Sequence, residues 1–437
     1  MGTEGLRRAA LEIFGDVLRR VDAREAVLVS SRLLDFGEPS AKIYSVAIGK
    51  AAAAMASALE ERLGERLARG VISSPSRGAA LSARWQRFEG GHPLPNEESL
   101  EAARAAFELL READASRSPV VFLVSGGGSA MLEWPRDGRL TLEDLRDANR
   151  VLISCGAGIT EVNAVRRALS AVKGGRLAAL APGAKQLTLI ISDTGAGRES
   201  DVASGPTLRP PPGSPRAAEV VGRYGLAARL PPRALSAIED ERDAVEPASD
   251  MAATRRHFVL LDNRAACEAA AESARERGFV VETAFDVEEQ EVGEGAALLA
   301  SRLFELYERE GGGAVCIVSG GEFACPVRGG GRGGRNSETA LRCAFEFERL
   351  SAGRAGGAKP KGVVALCAGT DGVDGNSPAA GALADSTTLV RARLRGLDAA
   401  THLLESDAYS FFDSLGDAVV TGPTGTNVRD VRVLLAE

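Results

Sequence analysis

The chain has 437 residues, of which 44% are hydrophobic and 26% charged, and its formal net charge is −7. That length exceeds what one ordinary hydrophobic core serves, so two domains are expected. The acidic balance offers no basic excess to meet a phosphate backbone, which excludes nucleic acid as the main partner but leaves room for a small anionic substrate held by a local cluster of cations.

The first twenty residues, MGTEGLRRAALEIFGDVLRR, predict an amphipathic helix carrying acids, with no apolar signal core. No later run approaches bilayer length, so a cytoplasmic protein without a membrane partner is expected. Apolar, β-branched runs at 43–49, 70–74, 120–127 and 187–193 read as strands, and Ala/Leu/Glu/Arg-rich stretches at 50–69, 97–113 and 159–180 read as helices. Strand alternating with helix implies a parallel sheet covered on both faces. Residues 208–236 hold six prolines and suit a linker or an ordered surface excursion. Strand patterns resume at 257–263, 279–285, 314–322, 362–372 and 417–425. The expected organisation is therefore α/β, with mostly parallel sheets in an N-terminal domain (1–250) and a smaller C-terminal domain (251–437). The six cysteines lack C-x-x-C spacing and read as reduced core residues; the three histidines lie too far apart in sequence for a zinc site.

Several strand ends carry chemistry-bearing loops. In VAIGKAAAAMA, Lys50 stands where a strand turns into a helix, a place where free N–H groups and the helix dipole favour anions. Lysine is scarce here, six among 53 basic residues, which draws attention to Lys50 and Lys173. The turn is not a Walker A loop, because Tyr44 and Ala51 replace the required Gly and Ser/Thr. Ser125, Gly126, Gly127, Gly128 and Ser129 form a glycine turn whose backbone can approach phosphate closely. No G-x-G-x-x-G fingerprint accompanies it, so a dinucleotide site lacks support. On a helix from 159, Asn163, Arg166, Ser170 and Lys173 share one broad face, readable as a solvated stripe or as part of a site. Asp193 ends a strand and is a candidate for Mg²⁺ or for taking a hydroxyl proton. In RGGGRGGRNSE (328–338), bare backbone and arginine forks precede a predicted helix, a pattern suited to phosphate or carboxylate. Asp371, Asp374 and Asn376 follow another strand, and TGPTGTNVRD (421–430) follows the last. Carboxylates, cations and glycine loops together are the parts of a phosphoryl-transfer site.

The ordered series GKAAAAMA, GGHPLPNEES, VSGGGSA, GAGITEVNAVRRALSAVKGGRLA, SDTGAG, ASGPT, SGGE, RGGGRGGRN, AGTDGVDG and TGPTGTNVRD closely resembles the glycerate 2-kinase family with a C-terminal MOFRL domain, formerly labelled hydroxypyruvate reductase. The resemblance covers about 40–435. It implies two α/β domains with an active-site cleft between them, and ATP- and Mg²⁺-dependent phosphorylation of D-glycerate to 2-phosphoglycerate. Carried over by motif, Lys50 and Arg335 are the expected catalytic cations, and Asp193 and Asp371 the active-site acids, with Asp193 favoured as base. Asp193, Asp371 and Asp374 are the expected Mg²⁺ ligands. Ser125–Ser129, Glu322, Arg332, Asn336, Thr424 and Asn427 are expected to bind substrate or nucleotide, and a homodimer is allowed. The alternatives are an NAD(P)H-dependent hydroxypyruvate reductase, a kinase for a related 2-hydroxy acid, or a sugar-acid-binding regulator. The chain departs from the family pattern at Ala51, Asn96, Ser337 and the Ala196–Gly197 pair.

Overall fold

The computed structural model describes residues 2–38, 40–76, 81–240, 255–353 and 359–437. Two compact units emerge, one of Ala23–Leu261, the other of Met1–Asp22 together with Asp262–Glu437. The division expected at 250/251 falls within 241–254, outside the described residues. It differs from the structure on both sides of that point. The N-terminal helix Thr3–Arg20 belongs with the C-terminal residues, because its apolar face (Leu6, Ile13, Phe14, Val17) is buried and Arg7 pairs with Asp385 and Asp417. The strand starting near 257, expected to open the second domain, closes the first sheet instead.

The first sheet contains β1 (Ile43–Ile48), β2 (Leu67–Ser74), β3 (Trp85–Glu89), β4 (Val120–Ser125), β5 (Gln186–Ile191) and β6 (Arg255–Leu261), in the order β3-β2-β1-β4-β5-β6. Every neighbouring pair is parallel. β1, β4 and β5 are buried along their whole length, which is why their sequences read as unbroken Val/Ile/Leu runs. The chain moves outward from β1 to β3 and then returns to place β4 on the other side of β1. The turns after β1 and β4 therefore flank a topological switch point, where open α/β sheets bind ligands.

The helix expected over 159–180 stops at Leu169, where Ser170 N–H donates to the Arg167 carbonyl and the chain turns extended. Ser170 and Lys173 thus leave the stripe they were expected to share with Asn163 and Arg166. The proline-rich stretch is an ordered excursion: helices Ala217–Arg223 and Pro232–Asp240 bury Val220, Leu226, Ala234 and Ile238 against Leu145, Leu152 and Val165.

The second sheet contains β7 (Val280–Thr283), β8 (Val315–Ser319), β9 (Val363–Gly369), β10 (Gly381–Asp385), β11 (Ala418–Val419) and β12 (Asp430–Ala436), in the order β11-β10-β9-β12-β8-β7. β7 and β8 pair parallel, whereas β10 and β12 run opposite to their neighbours. Four strands share one direction, and the two reversed ones are those the sequence pattern did not reveal. The reversal of β12 has a consequence for the site. Asp430, its first residue, pairs with Gly369 at the last position of β9 and lies near the end of β8.

Candidate functional site

In the Ala23–Leu261 unit, the turns after β1, β4 and β5 interlock. Lys50 N–H donates to the Gly126 carbonyl (2.9 Å), Ala51 N–H donates to Ser125 Oγ (3.0 Å), and Ser125 Oγ donates to the Ile48 carbonyl (3.2 Å). Ala51, a departure from the family pattern, thus contributes its backbone. Gly126 abuts Asp193 so closely that a Cβ would overlap its carboxylate. A Cβ on Gly127 (φ +78°) would stand 3.1 Å from Lys50 Cγ and 3.3 Å from His92 Cδ2. The bare turn therefore lets an acid, a lysine and a histidine close around it. Lys50, Asp193 and Ser129 are half-buried.

Ser129 extends the turn toward a polar network. Its Oγ lies 2.8 Å from Ser204 Oγ, which donates to Asn163 Oδ1 (2.8 Å). Asp201 accepts from Thr160 Oγ1 (2.7 Å) and Asn163 Nδ2 (3.2 Å) and pairs with Arg167 (3.5 Å). Asp201 is therefore committed to holding this loop. Lys173 is 1% exposed and pairs with the buried Glu133, which also accepts from Ser170 Oγ. Burial pushes the Lys173 ammonium below its ordinary pKa, opposed by Glu133. Neither is a solvated face.

In the unit containing the C-terminal residues, Glu322 follows β8, Asp371 follows β9, and Asp430 opens β12, all at one edge of the sheet. Asp430 is fully buried and receives Arg335 bidentately, Nε to Oδ2 at 2.6 Å and Nη2 to Oδ1 at 3.0 Å. Asn336 Nδ2 also donates to Asp430 Oδ1 (3.0 Å), and the buried Arg432 lies 3.6 Å away. Burial alone would raise the Asp430 pKa, but Arg335, Arg432 and Asn336 more than offset it and hold the carboxyl below its ordinary range. Arg335 also pairs with Glu322 (3.1 Å), whose carboxyl burial pushes up. Among the described residues, Arg335 Nη1 makes no hydrogen bond, so the fork is held on one side and presents its other end. A cavity of about 390 Å³ opens beside Arg335, walled by Phe323, Pro326, Glu338 and Asn376. Asp371 Oδ1 and Asp430 Oδ1 both approach Gly369, at 3.2 and 3.5 Å from where a Cβ would stand.

Three expectations need correction here. The glycines of 328–334 do not leave an open backbone cradle. The N–H groups of Arg328, Gly331, Arg332, Gly333 and Gly334 are taken by Ser406, Glu405, Asp407, Asn376 and Ser337. The glycines are instead needed for close approach: a Cβ on Gly334 would overlap Asp374. Asp374, expected as a metal ligand, has both oxygens occupied. They accept from Asn336 N (2.9 Å), Ser337 N (2.9 Å) and Ser337 Oγ (2.6 Å), the first turn of helix Arg335–Gly353. Burial nevertheless pushes its pKa up. Arg332 is exposed and stacks 4.8 Å from the Tyr409 ring, while Arg328 pairs with Glu338 (3.1 Å). Of the remaining expected ligands, Thr424 Oγ1 donates to the Thr370 carbonyl (2.6 Å) and Asn427 Oδ1 accepts from Arg429 N (3.3 Å), both on the loop against Asp371. Asn336 is buried, with Oδ1 unpartnered among the described residues.

Sequence reasoning missed Asp430. Its only signal was an acid opening a strand rather than ending one. Two departures become clear as well: Asn96 caps helix Glu97–Ala115 through Ser99 N, and Ser337 locks the Asp374 cap.

Among the described residues, no group of three or more His, Cys, Asp or Glu could hold a metal, and no helix is long and apolar enough to cross a membrane. A switch-point acid and lysine on one unit, and a carboxylate-held arginine on the other, define the class: an α/β protein equipped for chemistry on anionic groups. The domain of unknown function DUF4147 matches residues 9–239, and the MOFRL family matches 315–430. A D-glycerate 2-kinase of Thermotoga maritima is 32% identical over 98% of both chains. A putative hydroxypyruvate reductase of Agrobacterium vitis is 36% identical over 91% of this chain and 88% of the relative. The crystal structure of a glycerate kinase from Thermotoga maritima superposes with a TM-score of 0.83 at 30% identity, covering 99% of this chain and all of that one. The chain belongs to the MOFRL-containing glycerate kinase family.

Proposed function

We propose that the chain transfers the γ-phosphoryl group of ATP to the C-2 hydroxyl of D-glycerate, giving 2-phosphoglycerate and ADP, as a cytoplasmic enzyme. The observation that carries this reading is the packing of Asp193 against Gly126 and of Lys50 against Gly127, in one turn at the switch point of the parallel sheet. As the C-2 oxygen bonds to phosphorus, its proton passes to Asp193 and the bond to the ADP oxygen breaks. Lys50, beside that turn, stabilises the negative charge on the transferring group, and Arg335 is the second cation assigned to the reaction. Asp193 and Asp371, half-buried carboxylates at the strand tips of their respective units, are each a donor of the kind a hard cation takes alongside phosphate oxygens. Bound Mg²⁺ would supply neutralisation of phosphate charge. Asp374 is left out of this set because its oxygens are spent on the helix.

The reductase name of the Agrobacterium relative favours a second reading. The strand order matches that of nicotinamide-binding folds, but the turn after β1 reads Gly49-Lys50-Ala51, without the glycine fingerprint that admits a pyrophosphate. Incubating the pure protein with D-glycerate and Mg-ATP should yield ADP and 2-phosphoglycerate. NADH oxidation on hydroxypyruvate, with no ADP formed from any 2-hydroxy acid, would overturn the kinase reading.

A further inference from the structure

Arg166 stands out among the cations of the Ala23–Leu261 unit. Each neighbouring cation has a defined anionic or carbonyl partner. Arg167 and Arg198 pair with Asp201, Lys173 pairs with Glu133, and Arg176 donates to the carbonyls of Arg167, Ser170 and Lys173. Among the described residues Arg166 makes two hydrogen bonds, both to neutral amides: Nε to Asn149 Oδ1 (2.9 Å) and Nη1 to Asn163 Oδ1 (3.5 Å). Among the described residues no carboxylate comes within ion-pair distance of it, and Nη2 makes no hydrogen bond. Burial lowers the Arg166 pKa and the field of Glu133 opposes it only in part, so the guanidinium bears a desolvation cost.

The position of Arg166 shows what would relieve it. Asn163 Oδ1, which receives Arg166, also receives Ser204 Oγ, and Ser204 meets Ser129 at 2.8 Å. Ser129 ends the turn that Asp193 touches at Gly126. A planar fork held through Asn163 and the Ser204–Ser129 pair behind one end of that turn, with the acid at its other end, matches a 2-hydroxy acid. We infer that Arg166 binds the carboxylate of the acceptor substrate, with Ser204 and Ser129 holding the Asn163 amide that orients it, so that the adjacent C-2 hydroxyl lies toward Asp193. This rests on the D-glycerate reading above and adds to it the group that selects acids over neutral polyols. On this assignment Lys50 serves the phosphoryl group rather than the carboxylate.

The test compares wild-type protein with Arg166→Gln and Ser204→Ala, using D-glycerate, the uncharged D-glyceramide and Mg-ATP. Arg166→Gln should raise KM for D-glycerate by roughly 30- to 100-fold, the loss of a charge-assisted pair, and leave KM for Mg-ATP within about twofold. The preference for acid over amide should fall toward unity, and Ser204→Ala should produce a smaller loss in the same direction. As a measurement on unmutated protein, D-glycerate but not ATP should slow phenylglyoxal modification of Arg166, read by peptide mass spectrometry. An Arg166→Gln protein with wild-type melting that keeps its D-glycerate KM and its acid preference overturns the inference. So does a rise in nucleotide KM alone, or modification of Arg166 that D-glycerate does not slow. Failure of the parent reading looks different: wild-type protein would form no ADP with D-glycerate.

Discussion

Replacing Asp430 with Asn keeps the shape of the side chain and removes the one charge on which Arg335 and Arg432 both rest. Asp430 and Arg432 are fully buried, whereas the Arg335 side chain is 35% exposed and can turn toward water. Removing one partner of a buried ion pair costs about 3–5 kcal/mol, and the partial exposure of Arg335 places the expectation near ~3 kcal/mol at pH 7. The pH dependence has a definite sign. The folded-state pKa of Asp430 lies below its ordinary 3.8, so its contribution is complete above the ordinary carboxylate range and is lost as pH falls through the lowered value. The gap between wild type and Asp430→Asn should therefore be full at neutral pH and narrow in strong acid. Urea unfolding followed by far-UV circular dichroism measures it. Tryptophan fluorescence adds resolution, because Trp85 and Trp134 both belong to the Ala23–Leu261 unit. The dichroism transition should shift to lower urea even where the fluorescence transition does not. A loss under 1 kcal/mol at pH 7, or a gap that persists unchanged in acid, would refute the reasoning.

Arg335→Ala should lower kcat by about a hundredfold or more. Added guanidinium should restore part of that rate in Arg335→Ala but not in the double variant with Asp430→Asn, since Asp430 is the seat of the fork. Gly126→Ala should cut kcat/KM by roughly 100-fold, because the new Cβ must displace the Asp193 carboxylate; unaltered steady-state kinetics would remove Asp193 from the reaction. Lys173→Met should destabilise by about 3–5 kcal/mol in denaturant unfolding, and adding Glu133→Leu should recover much of that loss, because the pair is costly to break singly but replaceable as a unit.

The parts of the site legible in the sequence were those that follow a regular grammar. Lys50, Ser125–Ser129 and Asp193 each come directly after a fully buried parallel strand, so an apolar run ending in Gly, Ser or Asp announced them. Asp371 was legible for the same reason. Asp430 escaped because β12 runs backward: its functional end is its beginning, preceded by a loop of Thr, Gly and Asn that drew attention to itself. Asp374 carried the right residue type at a suggestive spacing, but the local pattern cannot tell a metal ligand from the cap of a helix 38 residues upstream. The fold boundary failed for a topological reason. The first helix and the strand at 255–261 each pack with the sheet on the far side of the chain's division, and local pattern carries no record of which sheet an element joins.

The two glycine-rich stretches, similar in composition, do different work. At 126–128 the missing side chains make room for Asp193, Lys50 and His92, groups from three separate turns. At 328–334 the missing side chains let the chain lie tightly against 374–376 and 405–409, with most of its N–H groups already satisfied. That strap delivers Arg335 at the start of a long helix whose first turn Asp374 caps and whose guanidinium Asp430 grips. The orientation of the charge is therefore settled during folding rather than when substrate arrives, the condition under which a fixed cation lowers a barrier most. The arginine's reach is set from behind, by a buried acid that a reversed strand carries to the same edge as Glu322 and Asp371.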